Sequence, residues 1–185
     1  MKPGGGSTKG SNWERRLAKS LSLWITDCES KDVLWRSQTS GARATLRAKS
    51  GGVKLDTQIG DIALADHESE VGRWFITHVV VEAKFLKKQN FWPGAEGTKT
   101  LFRFWDKLTS QAHEAKRTPL LIFKTNFQDA LMFMPFPLWR RLVAQDSYYI
   151  AGAYVCSDHL PVGYVAFPEL LGTPFALFRK LVNRE

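Results

Sequence analysis

The sequence predicts an α/β fold in which a central mixed β-sheet is flanked by α-helices. One observation is that segments with helical periodicity alternate with short segments rich in β-branched and aromatic residues. The other is their order, helix, strands, helix, strands, which is typical of a sheet covered by helices. The 185 residues are enough for one domain with a sizeable core. We therefore expect a single domain over residues 11–185, preceded by a flexible basic arm over the Gly-rich residues 1–10.

The domain is predicted to begin with a helix. Ser11 can cap this helix, and Glu14 follows three positions later in capping-box spacing. Apolar residues recur at helical spacing from Trp13 to Ile25. A first strand is predicted over residues 32–38. The stretch from Arg36 to Lys54 has five basic residues and no acidic residue, which favours an exposed loop.

The remaining elements follow from the same patterns. Strands over residues 57–66 and 74–85, joined by a polar turn, are expected to form an antiparallel hairpin. A second amphipathic helix is predicted to begin at Thr98 and to end near Lys116. Further strands and helices are predicted after Pro119, over 130–136, near 138–144 and near 174–182. We divide the domain into a core, residues 11–126, and a C-terminal elaboration, residues 127–185.

Composition restricts the function classes. The chain has 26 Lys and Arg against 18 Asp and Glu, a net charge of +8, and such a surplus attracts polyanions such as nucleic acid. Its two cysteines are too few for a disulfide framework. The four histidines share no ligand spacing with a cysteine, which argues against a zinc site. We find no apolar run of roughly 20 residues and no signal region, so we expect a cytoplasmic protein of a prokaryote or a virus-infected host cell, neither secreted nor membrane-bound.

The tripeptide Glu82-Ala83-Lys84 ends an apolar strand and is the sharpest local feature. Side chains alternate along a strand, so Glu82 and Lys84 project from the same face. A carboxylate and an ammonium there are unusual unless they are paired or face a cleft. The same tripeptide recurs over residues 114–116 on a predicted helix, where residues two apart do not share a face. A simple ion pair at a strand end is the alternative explanation.

Asp61 supports the functional interpretation. If the hairpin turns between Val71 and Gly72, Asp61 lies directly opposite Glu82. Two carboxylates at that distance raise a pKa or recruit a cation, and their oxygens are hard ligands that suit Mg²⁺. Glu14 lies inside the apolar stripe of the first helix, where an unpaired carboxylate is costly. Binding to the same cation explains its position, and the capping box is the alternative.

Together these residues resemble the PD-(D/E)xK nuclease superfamily, with Glu14 on the first helix, Asp61 after a strand start, and Glu82-x-Lys84. The likeness covers residues 11–126. It is greatest to archaeal-type Holliday junction resolvases and related viral endonucleases, through the basic loop at Ser40-Gly41, the segment Gly60-Asp61-Ile62, and a helix containing Gln111. Gly60 stands where a proline often precedes the aspartate.

The resemblance implies a restriction-endonuclease-like fold and a metal-dependent DNA endonuclease. Asp61, Glu82, the Ala83 carbonyl and Glu14 would bind Mg²⁺, for which Mn²⁺ would substitute. Lys84 would position or help activate the attacking water and offset developing negative charge. A homodimer and branched or duplex DNA are the expected partners. The residues expected to contact nucleic acid are Arg36, Ser40, Arg43, Arg47, Lys49, Lys87, Lys88 and Gln111.

Two alternatives remain open at this point. One is a nuclease that cuts specific sequences or ends, as restriction and repair enzymes do, because substrate choice lies in loops and assembly rather than in the metal site. The other is a basic nucleic-acid-binding module whose carboxylates are structural. The seven Trp and twelve Phe mostly follow helix or strand spacing, so we assign them to the core rather than to base stacking.

Overall fold

The computed structural model describes residues 5–37, 59–86, 96–126, 129–145, 152–155, 162–167 and 174–183. These ranges contain five helices and seven strands. In chain order they are α1 (Gly5–Ile25), β1 (Leu34–Arg36), β2 (Ile62–Leu64), α2 (Glu70–His78), β3 (Val79–Leu86), α3 (Glu96–Glu114), β4 (Thr118–Thr125), β5 (Leu131–Pro135), α4 (Phe136–Gln145), β6 (Gly152–Val155), β7 (Val162–Ala166) and α5 (Phe175–Val182).

The strands form a mixed sheet and a separate two-stranded ribbon. The sheet has five strands in the order β3-β4-β5-β7-β6. Strand β3 pairs parallel with β4, and the other neighbours pair antiparallel. The parallel pair is joined by α3, since a parallel connection requires a crossover. The ribbon consists of β1 and β2, which pair antiparallel. The predicted α/β fold with a mixed sheet is confirmed.

The sheet is covered by helices on both faces. On one face, Val79, Val81 and Ala83 belong to a core shared with α1, α2 and α5. On the other face, Val80 packs in a second core with residues of α3 such as Trp105. The alternation along β3 therefore assigns each side chain of this strand to a definite face.

The predicted hairpin is wrong. Residues 74–78 belong to α2 rather than to a strand, and β2 pairs with β1 instead of β3. The local cause is a helix cap, because the Ser69 hydroxyl accepts a hydrogen bond from the Gly72 backbone N–H at 3.1 Å. A short apolar run such as Trp74-Phe75-Ile76 fits a buried helix as well as a strand. The observed β2 is shorter than predicted, and residues 57 and 58 lie outside the described ranges.

The N-terminal arm is also predicted wrongly where it is described. Helix α1 begins at Gly5, so residues 5–10 are helical and Ser11 lies inside the helix rather than at its cap. Once a helix has nucleated, each further residue that becomes helical adds one hydrogen bond. A helix nucleated at the apolar residues after position 12 can therefore extend backwards through the Gly-rich segment, although glycine disfavours helix. Residues 1–4 lie outside the described ranges.

The residues after 126 share the sheet and the core with those before. Strands β5, β7 and β6 supply three of the five strands. Trp24 of α1 meets Phe175 and Phe178 of α5 edge-on, with ring centroids 5.0 Å apart in each pair. The predicted helices near 98–116, 138–144 and 174–182 are confirmed as α3, α4 and α5, whereas β6 and β7 were not predicted. Within the described ranges, no helix is long and apolar enough to cross a membrane.

Candidate active site

The candidate site lies at the open edge of β3, the first strand of the sheet order. The Asp61 backbone N–H donates to the Val81 carbonyl at 2.8 Å. The Asp61 Oδ2 atom accepts a hydrogen bond from the Ala83 backbone N–H, also at 2.8 Å. These two bonds place Asp61 beside Glu82, although by a contact with the strand edge rather than by the expected hairpin.

Gly60 explains how the chain approaches this edge so closely. Its φ is +90°, and a Cβ added there would lie 2.6 Å from the Val81 carbonyl oxygen. Residues with a side chain rarely adopt that conformation, and no Cβ tolerates that distance. Proline is excluded as well, because its ring fixes φ near −65°. The glycine in place of the usual proline is therefore required by the local backbone.

Lys84 joins the two carboxylates. Its Nζ donates to Glu82 Oε1 and lies 3.7 Å from Asp61 Oδ2. Glu82 and Lys84 project from the α3 face of β3, as alternation predicts. The ammonium also lies 5.3 Å from the centroid of the Phe104 ring, a cation–π contact from α3. Asp61, Glu82 and Lys84 thus form one cluster, which we call the edge cluster.

The edge cluster shifts the ionisation of two of its members. Burial raises the pKa of Asp61 from 3.8 to about 6, the negative charge of Glu82 adds to the increase, and Lys84 and the Ala83 N–H oppose it. Burial alone would lower the pKa of Lys84, but the carboxylates of Asp61 and Glu82 outweigh burial and raise it. At neutral pH, Lys84 is therefore positively charged. Neutral pH lies only about one unit above the pKa of Asp61.

Glu14 lies close enough to the edge cluster for its charge to act on Asp61 and Lys84. Its Oε2 accepts a hydrogen bond from the Arg36 guanidinium, and the ion pair links α1 to β1. The charge of Glu14 still contributes to raising the pKa of Asp61, as the smallest of the causes. Capping does not explain Glu14, because the helix begins nine residues earlier at Gly5.

The donor atoms fit a hard divalent cation. In the described ranges, no three His, Cys, Asp or Glu side chains are grouped so as to hold a metal ion. Asp61 and Glu82 nevertheless supply two carboxylates, and a strand residue directs its C=O to the same side as its N–H, so the Ala83 carbonyl faces Asp61. Mg²⁺ keeps several waters and needs only one or two carboxylates. Arg36 occupies Oε2 of Glu14, so Oε1 is the atom with which Glu14 could act as a further ligand.

Of the residues predicted to contact nucleic acid, only Arg36 and Gln111 lie in the described ranges. Arg36 is partly exposed and paired with Glu14. The side chain of Gln111 is half-buried on α3 and makes no hydrogen bond with another described residue. The other six residues, Ser40, Arg43, Arg47, Lys49, Lys87 and Lys88, lie outside the described ranges.

Sequence reasoning missed two neighbours of the edge cluster. Phe104, assigned to the core face of the second helix, lies under the Lys84 ammonium. Arg103 is exposed, and its guanidinium carbon lies 5.4 Å from the centroid of the same ring. The helical spacing put Phe104 on the correct side of α3, but no local signal distinguished a residue that supports Lys84 from an ordinary core residue.

Comparison with known proteins gives one match. A protein-family model described as "Phage putative PDDEXK endonuclease" matches residues 5–160. That range covers all three members of the edge cluster as well as Glu14 and Arg36. No curated protein and no solved structure matches the chain.

Proposed function

This chain belongs to the phage PDDEXK endonuclease family, and we propose that it hydrolyses phosphodiester bonds of DNA with the help of Mg²⁺. The observation that carries the proposal is the edge cluster, in which one lysine lies beside two carboxylates and the Ala83 backbone N–H fixes one of them. Two oxygens and a cation that face one point are the arrangement that metal-assisted phosphate hydrolysis needs.

The two carboxylates of the edge cluster would bind the metal ion in this mechanism. Asp61, Glu82 and the Ala83 carbonyl would hold the cation. When bound, Mg²⁺ polarises the scissile phosphate and lowers the pKa of water at the site. The Ala83 N–H holds the Asp61 carboxylate in place, so this carboxylate would need to move little when the cation binds. Without a cation, Asp61 is ionised above about pH 6, and a bound cation would favour the ionised form further.

Lys84 acts as a donor rather than as a base. Its raised pKa keeps it protonated at neutral pH, so it cannot accept a proton from water. The ammonium can donate hydrogen bonds to the attacking water and to a phosphate oxygen, and it stabilises negative charge that develops there. Phe104 holds the ammonium from the α3 side through its ring face.

Phosphate contacts would come from cations around the edge cluster. Arg36 on β1 pairs with Glu14, Arg103 on α3 lies over the Phe104 ring, and both have access to solvent. Arginines of this kind position the DNA backbone without reading sequence. The basic residues predicted to contact DNA in the two segments outside the described ranges are proposed to bind phosphates as well.

We further propose a branched DNA substrate and a homodimer, as the likeness to junction resolvases implies. The test is incubation with Mg²⁺ and matched four-way junction, flap, linear duplex and single-stranded DNA. Paired, symmetric nicks in the junction are expected, because two copies of the site would act on related strands. Equal cutting of linear duplex would favour a nuclease of the restriction or repair type. If the protein binds DNA but cuts none of these substrates in either Mg²⁺ or Mn²⁺, the non-catalytic binding module is the remaining explanation.

A further inference from the structure

The ribbon of β1 and β2 carries an exposed tryptophan beside the candidate site. Trp35 is 42% exposed, and Leu23, at 36%, is the other exposed large hydrophobic residue in the described ranges. The Trp35 indole makes no hydrogen bond or ring contact with another described residue. Tryptophan is highly buried on average, and an aromatic ring left in water is a candidate for contact with a partner.

The register of the ribbon determines which way Trp35 points. Trp35 pairs with Ala63, and Arg36 pairs with Ile62. Directly opposed residues project from the same face, and residues two apart on one strand do so as well. Ala63 therefore shares a face with Asp61, and Trp35 lies on that face too.

The opposite face of the ribbon is already occupied. Leu34 and Ile62 are buried in the core that contains α1, and Arg36 pairs with Glu14 of α1. Because Arg36 and Ile62 point towards α1, Trp35 points to the other face of the ribbon. The exposed ring thus lies on the strand that pairs with the segment leading from Asp61 into β2.

Trp35 lies a few nucleotide spacings from Asp61. The Ser37 backbone N–H donates to the Asp61 carbonyl at 2.8 Å. Trp35 is two residues before Ser37, about 7 Å along the strand, and the paired strands are about 5 Å apart, so the backbones of Trp35 and Asp61 are separated by about 9 Å. Successive nucleotides of one strand rise by about 3.4 Å along a duplex. A base two or three positions from a phosphate held at Asp61 therefore comes within reach of the indole.

We propose that Trp35 stacks on a base of the DNA next to the cleaved bond and thereby favours DNA in which that base is unpaired. The inference rests on the proposed function and names the feature of the substrate that this site selects. Inside a duplex both faces of a base are already stacked, so an indole gains most from a base at a flap, bulge or branch point. The partner is DNA rather than a protein, because the ring adjoins the edge cluster of a chain with a net charge of +8.

The test compares binding of two DNAs by chains that do not cut. Trp35→Ala, Trp35→Phe and Leu23→Ala are each made together with Asp61→Asn. One probe is a duplex with a single unpaired 2-aminopurine, and the other is the matched linear duplex. Trp35→Ala should weaken binding of the unpaired probe by roughly 5- to 150-fold, the usual contribution of one stacked base. Trp35→Phe should retain most of the affinity, and Leu23→Ala should bind like its parent.

Fluorescence reports the contact itself. Stacking should quench the 2-aminopurine when the parent binds, and Trp35→Ala should lose that quenching even at saturating protein. Equal effects of Trp35→Ala on both probes, or no effect on either, would overturn the inference. So would loss of a dimer in sedimentation with DNA affinity unchanged, because Trp35 would then serve a contact between copies of the chain.

A cleavage assay distinguishes a failure of the stacking role of Trp35 from a failure of the proposed catalytic function. If the chain with Asp61 intact cuts DNA in Mg²⁺ while Trp35→Ala binds and cuts both probes as well as the parent, the proposed function holds and the stacking role is wrong. If no DNA is cut in Mg²⁺ or Mn²⁺ but Trp35→Ala selectively loses the unpaired probe, the stacking role holds and the proposed catalysis is wrong.

Discussion

The ionisation state of the single residue Asp61 affects both the stability of the fold and the proposed activity. Asp61 is only 7% exposed, and its pKa is raised from 3.8 to about 6, chiefly by burial. A raised carboxyl pKa means that the folded state binds the proton more tightly than the unfolded state does. The stability contributed by Asp61 is therefore fully present below about pH 4 and is lost as the pH rises through about 6. The proposed metal site would use the ionised form, and ionisation of Asp61 destabilises the folded state at neutral pH.

Replacement of Asp61 by asparagine should remove that cost. The amide oxygen can still accept the Ala83 hydrogen bond, but it carries no charge. We expect Asp61→Asn to raise the free energy of unfolding by about 2 kcal/mol at pH 8, with the gain shrinking as the pH is lowered towards 4. Urea unfolding in the absence of metal, at several pH values, measures it. A gain that is the same at every pH would contradict the raised pKa.

Gly60 is the second residue on which the site depends. A Cβ at this position would lie 2.6 Å from the Val81 carbonyl oxygen, at a φ of +90°. Gly60→Ala should cost about 2 to 4 kcal/mol of stability and displace Asp61 from the strand edge. Denaturant unfolding and a cleavage assay measure the two effects. A variant as stable and as active as wild type would mean that the chain does not approach β3 this closely.

At the scale of elements, α1 differs most from expectation. The composition of residues 5–10 favours a flexible arm, yet this segment is the first part of the helix. A Cβ at Gly10 would meet no atom within 4 Å, so a methyl group can be added there without a clash. This glycine provides a direct test of the helix start.

Gly10→Ala should therefore stabilise the chain by about 1 kcal/mol, the difference between Gly and Ala inside a helix. It is also the matched control for Gly60→Ala, since the same substitution should act in opposite directions at the two positions. Thermal unfolding followed by circular dichroism measures the change. No gain in stability, with no increase in helical signal, would place residue 10 outside the helix.

Features that depend on near neighbours in the chain could be predicted from the sequence, whereas features that depend on tertiary contacts could not. Alternation on one strand was enough to put Glu82 and Lys84 on one face. Asp61 was paired with Glu82 through a hairpin that does not form, because the Ser69 cap turns residues 70–78 into α2. Asp61 reaches the same place through backbone bonds to β3 that no periodicity encodes. The exposure of Trp35 likewise depends on what covers the ribbon and not on its own segment.

At the scale of the whole molecule, the C-terminal residues complete the core that supports the site. The matched family model ends at residue 160, but α5 follows it. Phe178 of α5 is fully buried and meets Trp24 of α1, the helix that carries Glu14. The orientation of α1 therefore depends on residues far from it in sequence.

Phe178→Ala should lower the free energy of unfolding by about 3 to 5 kcal/mol, as large-to-small changes in a core do. Because α1 and α5 share one core, unfolding should remain a single transition in both tryptophan fluorescence and circular dichroism. The control is Lys180→Ala, on the exposed side of the same helix, which should change stability little. Early loss of α5 with the rest of the chain unaffected would show that the C-terminal helix is dispensable.

If the edge cluster is a catalytic site, variants of the Glu-Ala-Lys tripeptide on β3 should lose cleavage, and the second copy of this tripeptide in the chain provides the control. Glu82→Gln and Lys84→Ala alter the tripeptide on β3, whereas Glu114→Gln alters the copy that begins at the exposed last residue of α3. The measurement is the single-turnover rate of DNA cleavage in Mg²⁺ with saturating protein. We expect a loss of about 100-fold or more for both β3 variants and an unchanged rate for Glu114→Gln. Wild-type rates for Glu82→Gln and Lys84→Ala would contradict the assignment.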